Sequence, residues 1–331
     1  MQYSFIIPIY NRPEEIDELL GSLLHQDFNN SFEIVIIEDG SSITCQDVVN
    51  KYNKILNVKY YFKENSGPGD SRNYGMKVAQ GDYFIILDSD CLLPKGYLTA
   101  VDTFLKNSYI DCFGGPDAAH DSFSDVQKAI NQAMTSFITT GGVRGGSEKL
   151  GKFQPRSFNM GISKKAFLAS EGFGKIHPGE DPDLSIRLWK MGFKTALIPN
   201  AYVYHKRRID WSKFYKQVNK FGKARPILNQ RFPDYTKITF WFPSLFIIGL
   251  PISILLSIMN VPYLLYLYIL FYLLFFIESL FKTKSLKISI LSIIASFIQF
   301  YGYGTGFIKS YFLLNVLKLH PEKAMPEMFF K

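Results

Sequence analysis

Cysteine is scarce: Cys45, Cys91 and Cys112 are the only three in a chain of 331 residues. An odd count argues against a disulfide framework, and no two share a metal-ligand spacing, so a reducing compartment is the simplest setting. Long blocks of like charge are missing too. The net charge of +8 is spread along the chain. That suits an anionic partner such as a nucleotide or an anionic lipid, and no nucleic acid partner is expected. The start lacks the cationic region, apolar core and cleavage site of a signal peptide; Met1-Gln2-Tyr3-Ser4-Phe5-Ile6-Ile7-Pro8 reads as a first strand. Neither a Walker pattern nor a Gly-x-Gly-x-x-Gly fingerprint stands at that strand.

Charge nearly vanishes later in the chain. Beyond Thr239, Glu278 is the sole charged residue before Lys282. Segments 239–259 and 261–281 are each long enough to cross a hydrocarbon core of ~30 Å, with Asn260 and Pro262 punctuating a tight hairpin. A third apolar segment, 288–308, contains Tyr301-Gly302-Tyr303-Gly304-Thr305-Gly306, and spanning, re-entrant and interfacial placements all stay open. Arg231 and Lys237 precede the hairpin, and Lys282, Lys284 and Lys287 follow it. By the positive-inside rule both ends of the hairpin are cytoplasmic. The expected division is a soluble domain over 1–208, a basic amphipathic segment over 209–238, a membrane region over 239–308 and a tail over 309–331. In the basic segment, Trp211, Phe214, Tyr215, Val218 and Gly222 keep helical spacing among Lys213, Lys216, Lys220 and Lys223. It reads as a helix for an anionic bilayer surface, or as one packed against the catalytic domain.

The soluble part alternates strand and helix. Tyr3 to Pro8 is a strand, and Pro13, Glu14 and Glu15 open a helix carrying Ile16, Leu19, Leu20, Leu23 and Leu24. Strands follow at 32–37 and 58–62, then a helix over 71–79. The run Tyr83-Phe84-Ile85-Ile86-Leu87 is a buried strand that stops at Asp88-Ser89-Asp90. This order predicts an α/β domain with a mostly parallel sheet. Ligands of such sheets collect at the carboxyl ends of strands. Pro8-Ile9-Tyr10-Asn11, Glu38-Asp39-Gly40-Ser41 and Asp88-Ser89-Asp90 should therefore share one crevice. Two carboxylates as close as Asp88 and Asp90 repel unless a cation joins them, although an acidic solvated turn has the same local look. Gly67-Pro68-Gly69-Asp70-Ser71-Arg72 enters a helix with an Arg in its first turn, which suits a phosphate. Glu180-Asp181 opens another helix, where acids are commonly caps.

Taken in order, these motifs resemble glycosyltransferase family 2, the large group with the GT-A fold. The residues that carry the resemblance are Pro8-Ile9-Tyr10-Asn11-Arg12, Ile37 to Ser42, Asn65-x-Gly67 through Arg72-Asn73-x-Gly75, and Gly81-Asp82-Tyr83 leading to Asp88-x-Asp90. Asn159-Met160-Gly161 and Gly179-Glu180-Asp181-x-Asp183-Leu184-Ser185-x-Arg187-Leu188 complete the set, which spans roughly Tyr3 to His205. The resemblance implies that Asp39 contacts the nucleotide base, that Pro8, Tyr10, Asn11 and Arg12 frame the nucleoside, and that Arg72 approaches the diphosphate. It implies Asp88 at the ribose or sugar and Asp90 on Mg²⁺ or Mn²⁺ bridging the diphosphate. Asp181 becomes the general base, with Glu180 beside it raising its pKa. His205 is a further metal ligand, or a plain surface or core histidine. Gly114, Gly115, Asn159 and the segment Gly141-Gly142-Val143-Arg144-Gly145-Gly146 are candidate contacts for donor sugar and acceptor.

Processive synthases of the family carry Gln-x-x-Arg-Trp; here the corresponding stretch is Gln217-Val218-Asn219-Lys220-Phe221, which puts processive synthesis in doubt. The resulting expectation is an inverting, metal-dependent transferase at the cytoplasmic membrane face. It would move one sugar from a UDP- or GDP-sugar to a hydroxyl of a lipid-linked saccharide. Transfer to polyprenyl phosphate is the close rival, since an anionic acceptor needs no base. A nucleotidyltransferase would want a basic Gly-rich loop after the first strand, and Asn11-Arg12-Pro13-Glu14-Glu15 does not supply one.

Overall fold

Strand and helix alternate much as the apolar runs require. In the computed structural model, which describes residues 1–118, 120, 122–141, 152–206 and 210–330, the chain runs β1 (Tyr3–Ile9), α1 (Pro13–Leu24), β2 (Glu33–Asp39), α2 (Gln46–Tyr52), β3 (Val58–Lys63) and α3 (Pro68–Val78). Next come β4 (Tyr83–Leu87), β5 (Cys91–Leu92), α4 (Tyr97–Asn107), β6 (Cys112–Gly114), β7 (Asp117–Ala118), α5 (Asp125–Thr135) and α6 (Phe137–Thr140). After these lie β8 (Asn159–Ser163), α7 (Lys164–Ser170), α8 (Glu180–Lys190), β9 (Thr195–Leu197), β10 (Val203–His205) and α9 (Trp211–Arg231). The last helices are α10 (Phe242–Ile258), α11 (Tyr263–Thr283), α12 (Leu286–Tyr311) and α13 (Pro321–Ala324). They form two units, one of residues up to His120 with 152–206 and Phe330, the other of 122–141 and 210–329.

The first unit is built on a seven-stranded sheet of order β3-β2-β1-β4-β8-β6-β9, in which β8 alone runs against its neighbours. Alternate side chains point to opposite faces. Phe5, Ile7, Ile34 and Ile36 meet Ile16, Leu19, Leu20 and Leu23 of α1 on one face. Ile6, Val35 and Ile37 meet Met76 of α3 and Leu184 and Leu188 of α8 on the other. Each such buried aliphatic contributes about 1.5–3 kcal/mol. Because both faces are covered, β4 and the central residues of β1 and β2 are continuously apolar rather than alternating.

Helix α3 starts three residues before the Ser71 expected from sequence. Pro68 takes a first-turn position where no N–H is needed, and Gly67 ahead of it adopts φ 94°, open to glycine. A Cβ at Gly75 would stand 2.6 Å from Ile6 Cγ2, so this helix lies directly on β1. That close approach brings Arg72 to the sheet's carboxyl edge. A small second sheet, β5-β10-β7, sets Cys91, His205 and Asp117 beside that edge.

The second unit is helical. Three helical stretches, Ile238–Ile258, Tyr263–Thr283 and Leu286–Val316, are long and apolar enough to cross a membrane. Helix α12 runs unbroken through Tyr301–Gly306 and closes in a π turn over Phe312–Val316. Its glycines are a packing surface. A Cβ at Gly306 would lie 2.2 Å from Asn219 O, one at Gly302 2.5 Å from Val218 Cγ2, and one at Gly222 of α9 2.1 Å from Tyr303 O. Small residues let the two backbones touch, as in membrane helix pairs.

The buried face of α9 is therefore occupied: Phe214 and Val218 pack with Ile130, Ala133 and Ala295. Protein thus covers the apolar face that was expected either to meet a bilayer surface or to pack against the catalytic domain. Lys213, Lys216 and Lys220 stay exposed. The same packing groups α5 with the long helices, a division that composition over 1–208 does not reveal, and the expected boundary at 208/209 lies outside the described residues.

Candidate active site

Three turns leave the sheet at one edge, after β1, β2 and β4. In the first, Asn11 takes a left-handed φ of 54°. Its N–H donates to Ser41 Oγ (2.8 Å), and its Oδ1 accepts from the N–H of Ser42 (2.8 Å) and of Ile43 (2.9 Å). Asn11 thus pins the turn after β1 to the turn after β2. Pro8 lies half-buried within β1, and Tyr10 is exposed (52 %). Arg12 donates to both carboxylate oxygens of Glu15 (2.9 and 3.1 Å) and stands 3.8 Å from Asp90 Oδ2.

In the second turn, buried Glu38 accepts from Ser41 Oγ and from the Cys45 N–H (2.8 Å), which shapes the loop into α2. Asp39 points toward α3. Its carboxylate pairs with Lys63 Nζ (2.6 Å) and accepts from the N–H groups of Ser66 (3.0 Å) and Gly67 (2.9 Å). A carboxylate at a helix start is favoured by the amides and the helix dipole, so Asp39 also fixes the beginning of α3.

The third turn carries the paired acids. Asp88 Oδ1 meets Arg72 Nη2 at 2.7 Å, and Arg72 Nη1 reaches Glu180 Oε1 at 3.3 Å. Arg72 is only 3 % exposed, and its guanidinium lies over the Phe173 ring at 5.3 Å. It is a buried clasp between two carboxylates, one on each side of the edge. Asp90 faces β10: its Oδ1 lies 3.2 Å from His205 Nε2, while His205 Nδ1 lies 3.8 Å from Asp117 Oδ2. The Phe158 ring stacks on the imidazole at 4.6 Å and fixes its plane.

Donor atoms of Asp90, Cys91 and His205 lie within 4.8 Å of one another. The Cys91 thiol donates to Phe158 O (3.4 Å), and burial, followed by the charges of Asp90 and Asp88, holds its pKa well above the ordinary thiol value. A protonated thiol is no ligand for a hard cation. The carboxylate and imidazole of Asp90 and His205 are a donor set that fits Mn²⁺ or Mg²⁺.

On the other side of the edge, Glu180 and Asp181 open α8 behind Gly179. Glu180 accepts from His177 Nδ1 (2.9 Å), the Gly179 N–H (2.9 Å) and Arg72. Burial alone would raise its pKa; His177 and then Arg72 outweigh burial and hold it low. Asp181 behaves oppositely. Burial first, and the adjacent Glu180 charge second, push its pKa up against the pull of Arg72 and Arg156. Its buried Oδ1 makes no hydrogen bond among the described residues. Two carboxylates driven apart in this way can divide the roles of fixed charge and proton acceptor. Asp183 is instead structural: it accepts from Arg187 Nε (2.9 Å), whose other nitrogens hold the carbonyls of Ser170 and Gly172.

Three of the residues expected to contact sugar are packed inside the domain. Asn159 is fully buried, its Nδ2 donating to Ala201 O (2.8 Å) and its Oδ1 accepting from Tyr97 OH (2.6 Å). Both ends of the amide are consumed inside the domain. Gly115 is buried where a Cβ would stand 1.8 Å from Ala201 O, and Gly114 where one would stand 2.7 Å from Phe153 Cε1. At both positions a neighbouring part of the chain passes too close for a side chain. Of the Gly-rich segment, Gly142, Val143, Arg144, Gly145 and Gly146 lie outside the described residues. Lys63, Asp117, Arg156 and His177 join the site without having been singled out. The partners of Lys63, Asp117 and Arg156 are distant in sequence, whereas His177 stands three residues before Glu180, a spacing that could have marked it.

Residues 4–167 match the family described as Glycosyl transferase family 2. This stretch is a family 2 glycosyltransferase domain. The family 2 domain has the GT-A fold. A mannosyltransferase from Pyrobaculum calidifontis, solved with GDP-Man and Mn²⁺, superposes with a TM-score of 0.58 at 13 % identity, over 96 % of this chain and 88 % of that one. The poly(ribitol-phosphate) beta-N-acetylglucosaminyltransferase TarS of Staphylococcus aureus is 37 % identical over 114 residues, 34 % of this chain and 20 % of that protein. The match thus spans about a fifth of the length of TarS. A further relative, from Methanococcus voltae, is 26 % identical over 318 residues, 92 % of this chain and 97 % of its own. It is named a dolichyl N-acetyl-alpha-D-glucosaminyl phosphate 3-beta-D-2,3-diacetamido-2,3-dideoxy-beta-D-glucuronosyltransferase.

Proposed function

We propose that the protein is an inverting glycosyltransferase that moves one sugar from a UDP- or GDP-sugar to a hydroxyl of a lipid-linked saccharide in glycan synthesis. The observation that carries this reading is the buried Arg72 clasp. It ties a donor-side carboxylate, Asp88, to Glu180, whose neighbour Asp181 has a raised pKa and a buried oxygen that makes no hydrogen bond among the described residues. A base with a pKa lifted toward neutrality suits proton removal from a hydroxyl. Asp181 takes the acceptor proton as the hydroxyl oxygen bonds to the anomeric carbon, while the bond from that carbon to the nucleoside diphosphate breaks on the opposite face. Asp39, with Asn11 and Tyr10, frames the nucleoside, and Asp88 lies toward the sugar.

Asp90 and His205 would hold Mg²⁺ or Mn²⁺, which supplies positive charge to the departing diphosphate. The relative from Methanococcus voltae, alike over nearly its whole length, is named for a lipid-phosphate-linked sugar acceptor, and the three apolar helices suit an enzyme that meets its acceptor in a bilayer. With the cation-flanked ends of the hairpin inside, the domain faces the cytoplasm.

The test is the full chain in nanodiscs, incubated with labelled UDP- and GDP-sugars, Mn²⁺ or Mg²⁺, and a polyprenyl-linked saccharide. Nucleotide release with transfer of label to lipid supports the reading. Absence of metal-dependent nucleotide binding, with no release from any donor, overturns it.

A further inference from the structure

Phe330 lies in the same unit as the sheet, far in sequence from every residue of the site, yet it touches two parts of it. Its N–H donates to Lys175 O at 3.0 Å, which fixes the backbone against the loop that leads into α8. Its ring lies over Gly67, where a Cβ would come within 2.5 Å of three ring carbons. The same ring sits 5.3 Å from the imidazole of His177, tilted by 38°. Each contact leads inward by one step. Gly67 donates its N–H to Asp39, and His177 donates to Glu180.

We infer that Phe330 is a positioning residue of the transfer site, an aromatic wedge that holds His177 against Glu180 and so sets the carboxylate pair Glu180-Asp181 beside the nucleoside corner at Gly67 and Asp39. The inference rests on the transferase reading given above. An imidazole that is partly exposed has several rotamers, and one packed face removes most of them. With His177 fixed, Glu180 keeps a directed donor in addition to Arg72 and Gly179, and the first turn of α8 keeps its place. Misplacement of a catalytic group by about 1 Å is enough to cost orders of magnitude in rate, so a contact two residues removed can act on turnover without touching substrate. Phe330 needs no polar group for this task. What it supplies is a flat apolar surface, which glycine at 67 alone leaves room for.

The experiment compares wild type with Phe330→Ala, Phe330→Tyr, His177→Ala and the double variant Phe330→Ala/His177→Ala, each as full chain in nanodiscs. Phe330→Ala should lower kcat about tenfold, with the donor KM within about twofold. Phe330→Tyr should restore the rate. The double variant should be no slower than His177→Ala alone, because the two residues act in series. Independent, multiplying effects would overturn the inference, and so would a loss carried by donor KM with kcat intact.

A second readout does not depend on turnover. With histidine labelled at ¹³Cε1, and the resonance of His177 assigned from His177→Gln, Phe330→Ala should move that resonance by removing the ring current. An unmoved resonance overturns the inference even in an inactive preparation. A wild type with no metal-dependent nucleotide binding and no release from any donor, whose His177 resonance nonetheless responds to Phe330→Ala, would sink the transferase reading, and with it the positioning role, while leaving the Phe330–His177 contact itself established.

Discussion

Replacing Arg72 by Met tests the clasp with a perturbation that keeps an unbranched apolar stem and removes the charge. Its guanidinium makes two ionic contacts, at 2.7 Å with Asp88 and 3.3 Å with Glu180. Breaking a buried pair costs about 3–5 kcal/mol because a charge is left behind. Here the two partners differ. The Asp88 side chain is one-third exposed, so water takes over much of its stabilisation, and its share falls toward the surface value of about 0–1 kcal/mol. Glu180 is buried but keeps His177 and the Gly179 amide. The total should therefore sit at the low end, about 3 kcal/mol. For a domain of this size that is a fall in Tm of roughly 6–12 °C.

The sign of the pH dependence follows from Glu180. Its carboxyl is held below the ordinary value, so it stabilises the fold above its unfolded pKa of about 4.3 and loses that contribution as pH falls through the folded value. The gap between wild type and Arg72→Met should be full at neutral pH and narrow in acid. Trp189 lies in α8, and its fluorescence during thermal unfolding, with Trp211 and Trp241 changed to Phe, reads the domain directly. A gap that stays constant down to acid pH, or a Tm change of no more than about 2 °C at neutral pH, would refute the clasp.

Asp181→Asn should lower kcat by about 10²–10⁴ while nucleotide binding by calorimetry stays intact; near-normal turnover would instead favour an anionic phosphate acceptor. Because burial and Glu180 raise the Asp181 pKa, and the ionised form is the active one, the wild-type rate should climb with pH on an acid limb above the ordinary carboxylate range, and this limb should vanish in Asp181→Asn. Asp90→Asn and His205→Ala should each weaken Mn²⁺ binding followed by electron paramagnetic resonance, while Cys91→Ala leaves it unchanged. Gly222→Val should separate α9 from α12, since even a Cβ falls 2.1 Å from Tyr303 O; overpacking of this kind costs about 1–3 kcal/mol or more, read as lost monodisperse yield beside a Lys220→Ala control.

The sheet was legible where a strand is buried on both faces and ends in polar residues. β4 is an unbroken apolar run, β1 and β2 carry apolar runs at 5–9 and 34–37, and their turns do share one edge. The start of α3 was misplaced because Gly67-Pro68-Gly69 has the composition of a turn, whereas proline is compatible with a first helical position. The reversal of β8 has no local mark: antiparallel and parallel strands look alike when both faces are covered. Asn159 was ambiguous because an amide in Asn-Met-Gly suits a sugar contact as well as a buried strut, and its bonds to Tyr97 and Ala201 are long-range. Arg72 was singled out, but Glu180 is 108 residues away, so its clasp could not be read from spacing. The glycines of α12 looked like an interruption because their partner surface on α9 lies about eighty residues earlier, as the 83-residue separation between Asn219 and Gly302 illustrates.

The reversed strand β8 has a consequence for biosynthesis. β4 pairs with β1 on one side and with β8 on the other, and β6 reaches the sheet only through β8. As the chain emerges, β1 to β4 can assemble as a four-stranded half, but the outer edge of β4 waits for residues 159–163. During that interval it is an open hydrogen-bonding edge, the kind of surface on which nascent chains pair wrongly. Every strand of both sheets is made before Phe242 begins the first long apolar helix. Synthesis order therefore lets the edge be closed before the most insoluble part of the protein leaves the ribosome.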